Sequence, residues 1–247
     1  MRITYAFVFP SCVHFTIGGF FMLTTIHNIL VNTDGGLTTA GYTVSILAFL
    51  LFILGAGLLH SHSSQEQKHM PAKQLAWCAA AMALAFLTSY IKLFHLPFGG
   101  SVTLFSMFFI CLIGYWFGPK TGILTGLAYG ILQFLQEPFV LNFFQVCCDY
   151  IFAFAALGLA GFFSKSKNGL LKGYILGILM RGAFHSLGGY LYWMDYMPEN
   201  FPQSLTSLYP IVYNYSYILA EGILTIIVIM LPPVQKALIQ LKKNAIA

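Results

Sequence analysis

Three polar side chains, Asp149, His185 and Asn214, interrupt long apolar stretches of this sequence. Together, a carboxylate, an imidazole and an amide can bind a ligand that carries positive charge or several hydrogen-bond donors. The same carboxylate and imidazole could also act as an acid–base pair. Because a charged side chain in an apolar environment is costly, we expect Asp149 to face a wet cavity or a polar partner.

The apolar stretches that carry these residues have the length of membrane-spanning helices. Of the 247 residues, 58% are hydrophobic and 8% are charged, whereas about 25% of the residues of a typical soluble domain are charged. The stretches also lack the alternation of β-barrel strands. The sequence therefore predicts an all-α polytopic membrane protein with eight spans, at 5–31, 42–59, 73–93, 101–118, 121–136, 143–164, 170–193 and 208–233.

The longest polar stretch divides these spans into two groups. Residues 1–60 are predicted to form two additional transmembrane helices, 61–72 a cytoplasmic linker, 73–233 a six-helix membrane domain, and 234–247 a basic cytoplasmic tail. Lysines and arginines concentrate at one set of loops and ends, so the positive-inside rule predicts that both termini are cytoplasmic. The net charge of +5 is thus explained by membrane orientation, and nucleic acid is not predicted as a partner.

Positions along the predicted spans indicate that the three polar residues lie at one depth. Asp149 and Asn214 each lie six residues inside the outer end of their span, and His185 lies eight residues before Trp193. At about 1.5 Å per residue, all three fall in the outer third of the membrane. We predict an outward-facing pocket for a flat, cationic or donor-rich heterocycle, with Tyr150, Trp193, Tyr209 and Tyr213 as aromatic surfaces and Gly189 leaving room. Each polar group alone could instead only join helices.

Four further positions are predicted to have structural or docking roles. Arg181 and Glu221 lie deeper, at equal depth on the last two spans, which predicts a buried structural ion pair. Ala79 and Ala83, in the third span, belong to a series of small residues that lets another helix approach closely. This face is either packed inside the bundle or used for docking another membrane subunit.

Neither a cofactor nor an enzymatic activity is predicted. His60, His62 and His69 lie in the solvated linker beside lysine, and the five cysteines lie in apolar stretches without a C-x-x-C motif, so no metal site is expected. The stretch "GYWFGPKTG" lacks the spacing of a phosphate-binding loop. The chain is therefore expected to have no ATPase activity of its own.

Residues 73–233 resemble the thiamine-specific substrate-binding component (S component) of energy-coupling-factor (ECF) transporters. The resemblance is carried by "LPFGGSVTLFSM", "FFQVCCDYIFAFAALGLAGFF", "FHSLGGYLYW" and "YPIVYNYSY". It implies a six-helix S-component-like bundle that binds thiamine from outside and works with a transmembrane coupling subunit and two cytoplasmic ATPases in a prokaryotic plasma membrane. It assigns thiamine binding to Asp149, Tyr150, His185, Gly189, Trp193, Tyr209 and Asn214, and docking to the A-x-x-x-A pair Ala79 and Ala83.

The chain departs from this family pattern at two points. Asp149 stands where some members carry glutamate, and the helices within residues 1–60 are additional. Three other functions fit the same residues: an S component for another vitamin or a thiamine precursor, a proton-coupled secondary transporter that uses Asp149 or Glu221, and a membrane-embedded enzyme that uses Asp149 and His185.

Overall fold

A computed structural model of the chain describes residues 29–32, 36–44, 46–47 and 70–246. The chain divides into two compact units, residues 1–58 and residues 59–247. In the first unit the described residues include a backbone turn, in which the N–H of Thr38 donates to Leu30 O at 3.0 Å. The predicted spans 5–31 and 42–59, the histidines of the linker and Cys12 lie almost entirely outside the described residues.

The second unit contains one helix for each of the six predicted spans between residues 73 and 233. We number them α1 to α6; their bounds are Ala72–Ser89, Ser106–Phe117, Pro119–Gln136, Phe143–Phe163, Gly169–Tyr192 and Tyr209–Met230. Short 3₁₀ helices at Met194–Tyr196 and Gln203–Leu208 join α5 to α6. Among the described residues, two helical stretches, Phe143–Phe163 and Gln203–Met230, are long and apolar enough by themselves to cross a bilayer.

The predicted span 101–118 differs from the structure at its outer end. Residues 101–103 belong to a hairpin in which β1 (Lys92–His95) pairs antiparallel with β2 (Ser101–Thr103) across a 3₁₀ turn at Pro97–Gly99, and residues 104–105 form a bend. Helix α2 begins only at Ser106, so the prediction of helix from residue 101 was wrong. Strand pairing satisfies backbone groups that a helix would otherwise satisfy internally, and Gly99 adopts φ +91° in the turn.

The predicted tail also differs, because residues Pro232–Ile246 form a seventh helix, α7. Leu231 is extended because it precedes a proline, and this ends α6; Pro232 and Pro233 are the first two residues of α7. Val234, Leu238 and Ala245 lie on the packed face of α7, while its lysines Lys236 and Lys243 are exposed. The regular spacing of these apolar residues was the sequence signal for a helix.

Glycines allow α2, α3 and α4 to pack with their backbones in close contact. A Cβ atom on Gly158 would lie 2.1 Å from Ile123 N, and one on Gly126 would lie 2.4 Å from Phe154 O. A Cβ on Gly130 would similarly meet Tyr150 O at 2.1 Å. No larger residue fits at these crossings, so the glycines fix the position of α4 against α3.

Candidate functional site

A cavity of about 370 Å³ lies between the hairpin and helices α1 to α6. All seven residues that the sequence assigned to ligand binding line it: Asp149, Tyr150, His185, Gly189, Trp193, Tyr209 and Asn214. The structure therefore brings together residues from three helices that the sequence assigned to one pocket by depth, by chemistry and by the family resemblance.

Asp149 lies in an irregular part of α4. Residues Cys147–Phe152 form a π-helical turn, a rare feature often found at functional sites. Asp149 Oδ2 accepts hydrogen bonds from Gln145 Nε2 at 2.7 Å and from Trp193 Nε1 at 3.1 Å, and Oδ1 lies 3.3 Å from His185 Nδ1. The Asp149 side chain is 12% exposed.

The tautomer of His185 follows from its second partner. Arg181 Nε donates to His185 Nε2 at 3.4 Å, and because arginine can only donate, His185 Nε2 must be the acceptor. The ring proton is then on Nδ1 and points to Asp149. Asp149 thus has three neutral donors and, among the residues that the structure describes, no lysine or arginine within ion-pair distance.

Aromatic rings and fixed polar groups complete the walls. The Trp193 ring packs against Phe139 and Tyr196, with centroid distances of 4.7 and 5.2 Å. Tyr150 Oη donates to Glu137 O at 2.8 Å and accepts from Phe139 N at 3.0 Å, which holds the loop after α3.

Asn214 is hydrogen-bonded within the protein through both ends of its amide. Its Nδ2 donates to Pro210 O at 2.9 Å and to His185 O at 3.2 Å. Its Oδ1 accepts from Tyr217 Oη at 3.0 Å. Both amide hydrogens are therefore used, and one lone pair of Oδ1 is left for a ligand.

Gly188 and Gly189 give the cavity wall of α5 its shape. A Cβ atom on Gly189 would lie 2.7 Å from Pro210 Cβ, so this glycine brings α5 and α6 together. A Cβ on Gly188 would lie 2.9 Å from Asp149 Oδ1. Gly188 was missed in the sequence, although its place beside Gly189 in "FHSLGGYLYW" was visible.

The predicted ion pair between Arg181 and Glu221 is not present, and both residues lie in the described part of the chain. The Arg181 guanidinium carbon lies 4.3 Å from the centroid of the Phe154 ring, and Arg181 lines the cavity. Glu221 is 2% exposed and accepts hydrogen bonds from Thr103 and Met107 instead. Equal depth did not predict the partners of Arg181 and Glu221, because depth does not specify the direction in which a side chain points.

The hairpin and the ends of α1 and α3 supply residues that the sequence did not identify. Lys92 Nζ and Glu137 Oε2 form an ion pair at 2.5 Å at the rim. Beneath it, Gln133 Nε2 donates to Ser89 Oγ at 3.0 Å. The spacing of Gln145, four residues before Asp149, was a further sequence signal for an additional site residue.

The described residues contain no cluster of three or more histidine, cysteine, aspartate or glutamate side chains that could hold a metal ion. Cys78, Cys111 and Cys148 are buried free thiols, and Cys147 is half-buried. Besides the Arg181 guanidinium and the Lys92–Glu137 ion pair at the rim, the cavity offers the Asp149 carboxylate, aromatic rings and neutral hydrogen-bonding groups. The carboxylate and the rings suit recognition of a flat cation.

Comparisons with known proteins point to the same class of ligand. The chain is 31% identical over 187 residues to thiamine transporter ThiT of Bacillus subtilis (strain 168), an alignment covering 68% of this chain and 92% of the relative. The structure matches that of ThiT from Listeria monocytogenes with a TM-score of 0.52 at 26% identity, over 65% of this chain and 94% of the other.

A family model described as thiamine transporter protein matches residues 75–241. This range contains α2 to α6, all of α1 except its first three residues, and every residue assigned to the cavity. The family consists of transporters, in agreement with the expectation that the chain is not an enzyme, and it is a family of prokaryotic plasma-membrane proteins. The chain belongs to the thiamine transporter family.

Proposed function

We propose that the chain is the thiamine-binding membrane subunit of an ECF transporter and that thiamine occupies the cavity around Asp149. The observation that carries this proposal is the Asp149 carboxylate, which faces the cavity with three neutral donors and, within the described part of the chain, no lysine or arginine partner. Its negative charge is available to a cationic ring, and thiamine carries its positive charge on the thiazolium ring.

The walls support specific contacts with the two rings of thiamine. Trp193 and Tyr209 offer aromatic faces and Tyr150 stands beside Asp149. Gly189 lets α5 and α6 approach closely at this wall. The remaining acceptor of Asn214 and the guanidinium of Arg181 can hydrogen-bond to the aminopyrimidine or the hydroxyl group. Membership of the thiamine transporter family independently favours this ligand.

The test is a calorimetric titration of the detergent-solubilised full chain with thiamine and with its neutral isostere 3-deazathiamine. The wild type is expected to prefer thiamine, and Asp149→Asn to lose most of that preference. Asp195→Asn, an exposed acid outside the cavity wall, is the matched control and should bind as the wild type does. Equal binding of both ligands by the wild type would contradict the role of Asp149.

A second titration separates thiamine from a precursor. A protein for the pyrimidine precursor should bind the single aminopyrimidine ring as tightly as thiamine, whereas a thiamine protein should bind it far more weakly. A proton-coupled transporter is less favoured, because Glu221 already accepts several hydrogen bonds and lies outside the cavity wall. Uptake by the chain alone, sensitive to a protonophore, would support that alternative.

We further propose that transport requires a transmembrane coupling subunit and two cytoplasmic ATPases, and that the coupling subunit docks on Ala79 and Ala83. Both alanines are exposed on α1, beside the exposed Leu75, Leu84 and Leu87. Small residues on such a face permit close approach of another helix.

We also propose a multi-pass topology with two additional spans in residues 1–60 and with both termini cytoplasmic. Labelling of a cysteine placed at each chain end, with a reagent applied from the cytoplasmic side, would test this topology.

A further inference from the structure

Glu221 lies behind the cavity wall and binds the segment that connects the hairpin to α2. Its Oε2 accepts hydrogen bonds from Thr103 N at 3.1 Å and Thr103 Oγ1 at 2.6 Å. Its Oε1 accepts from Met107 N at 3.2 Å and lies 3.3 Å from Ser106 Oγ. Thr103 and Ser106 line the cavity, whereas Glu221 does not.

This carboxylate takes the place of a helix cap. The N-cap residue of α2 is Phe105, which has no side chain able to accept a hydrogen bond and adopts φ +63°. The free N–H groups at a helix start and their positive dipole end favour a carboxylate. Glu221, from a different helix, supplies it and so ties the start of α2 to α6.

The same face of α6 also holds the tip of the hairpin. Tyr213, Tyr217 and Glu221 follow each other at intervals of four residues, which places them on one side of the helix. Tyr213 Oη donates to Pro97 O and accepts from Gly100 N at 3.2 Å. A Cβ atom on Gly100 would lie 2.8 Å from Tyr213 Oη, so the hairpin backbone is in close contact with α6.

We propose that Glu221 is a positioning residue for the ligand site: it fixes the base of the hairpin wall against α6, while Tyr213 fixes the tip. The hairpin contributes Lys92, His95, Gly99, Gly100, Ser101 and Thr103 to the cavity, and α6 contributes the face around Asn214. Glu221 therefore sets the distance between two walls that a ligand must contact together. This inference rests on the proposed function, because the ligand used to test it is thiamine.

Two variants remove the contact to different degrees. Glu221→Gln keeps the shape but puts an NH₂ group where one oxygen was, and either oxygen position faces a backbone N–H, of Thr103 or of Met107. Thr103→Val removes only the hydroxyl donor. Thr225→Val is the matched control, because the buried Thr225 Oγ1 donates to Glu221 O, within α6, and not to the hairpin.

Calorimetry with thiamine separates positioning from a merely structural role. Glu221→Gln should raise the Kd about tenfold or more, with a stoichiometry near that of the wild type. Thr103→Val should raise it less, and the double variant should resemble Glu221→Gln alone. A lower stoichiometry with an unchanged Kd would mean that Glu221 only stabilises the fold and would overturn the inference. The proposed function is tested separately by the wild type and Thr225→Val. If both bind thiamine the proposed function is supported, and if neither does it is contradicted.

Hydrogen exchange of the ligand-free full chain tests the inference without thiamine. In Glu221→Gln and Thr103→Val, amide exchange in residues 92–103 should accelerate, while exchange in α5 stays at the wild-type rate. Thr225→Val should leave the hairpin unchanged. Unchanged exchange in the hairpin, or equal acceleration in all segments, would contradict the positioning role.

Discussion

Trp193 Nε1 donates a hydrogen bond to Asp149 Oδ2 at 3.1 Å and so joins the end of α5 to the π-helical turn of α4. The bond fixes the indole ring at the cavity wall, where Phe139 and Tyr196 pack against it. The carboxylate that can attract a cationic ligand and the ring that can stack on that ligand are therefore directly hydrogen-bonded to each other. A change in either residue should alter the position of the other.

Replacing Trp193 by phenylalanine should separate stacking from hydrogen bonding. Trp193→Phe keeps an aromatic face but removes the donor to Asp149, so we expect an affinity for thiamine about tenfold lower. Trp193→Ala, which removes both, should bind more weakly still. Calorimetry measures the affinities of both variants.

Fluorescence provides the control for this prediction. The chain has three tryptophans, and Trp77 packs against Trp116 at a centroid distance of 5.4 Å, outside the cavity wall. Thiamine should quench Trp77→Phe as it quenches the wild type, whereas the quenching should disappear in Trp193→Phe. Quenching that survives in Trp193→Phe would contradict stacking on Trp193.

Gly188→Ala should displace the Asp149 carboxylate. The new Cβ atom would lie 2.9 Å from Asp149 Oδ1, and overpacking of this kind costs about 1–3 kcal/mol. We expect thiamine affinity to fall about fivefold or more. Gly177→Ala, on the same helix, would meet Cys111 Sγ at 2.9 Å away from the cavity wall. It should lower thermal stability but leave the affinity unchanged; equal affinity losses in both variants would disprove the specific effect.

Arg181 and Glu221 should differ in their effects on stability because they are not an ion pair. Glu221→Gln disturbs several hydrogen bonds to a buried carboxylate, each worth about 1.5–3 kcal/mol. Arg181→Gln loses one long hydrogen bond and a contact with the Phe154 ring, together worth about 1–2 kcal/mol. Thermal unfolding in detergent should therefore show a lower Tm for Glu221→Gln than for Arg181→Gln. Equal losses of Tm in the two single variants, with no further loss in the double variant, would instead support an ion pair between Arg181 and Glu221.

Ala83→Leu should affect assembly without affecting thiamine binding. The added side chain lies on the exposed face of α1 and would keep a partner helix from approaching closely. We expect co-purification with the coupling subunit to be lost, while the Kd for thiamine stays within about twofold of the wild type. Ala220→Leu, at an exposed alanine of α6, is the matched control and should co-purify normally. Intact assembly of Ala83→Leu would argue against this docking face.

The ligand cavity was predictable because depth along a helix follows from counting residues. Asp149, His185 and Asn214 lie in apolar stretches, where a polar side chain is tolerated mainly when it faces a cavity or a partner. Their positions relative to the span ends were sufficient to assign them to one pocket. Trp193 and Gly189 were identified by their spacing from His185 on the same helix.

The contacts of Arg181 and Glu221 could not be predicted in this way. Successive side chains along a helix are rotated by about 100° about its axis, so two residues at equal depth on different helices can face different neighbours. Glu221 contacts Thr103 of the hairpin and the start of α2, whereas the sequence predicted a continuous span from residue 101. To predict these contacts, the rotation of each helix about its axis and the packing of the hairpin would have to be known first.

The sequence by itself determined the helical membrane class, the six helices of residues 73–233 and the polar residues of one pocket, since these depend on apolar length and on position within a span. Only the tertiary structure decided that three neutral donors surround Asp149, that Gly188 leaves space for it, and that Glu221 holds the hairpin. These relationships join residues far apart in the chain, and their geometry arises when the helices pack.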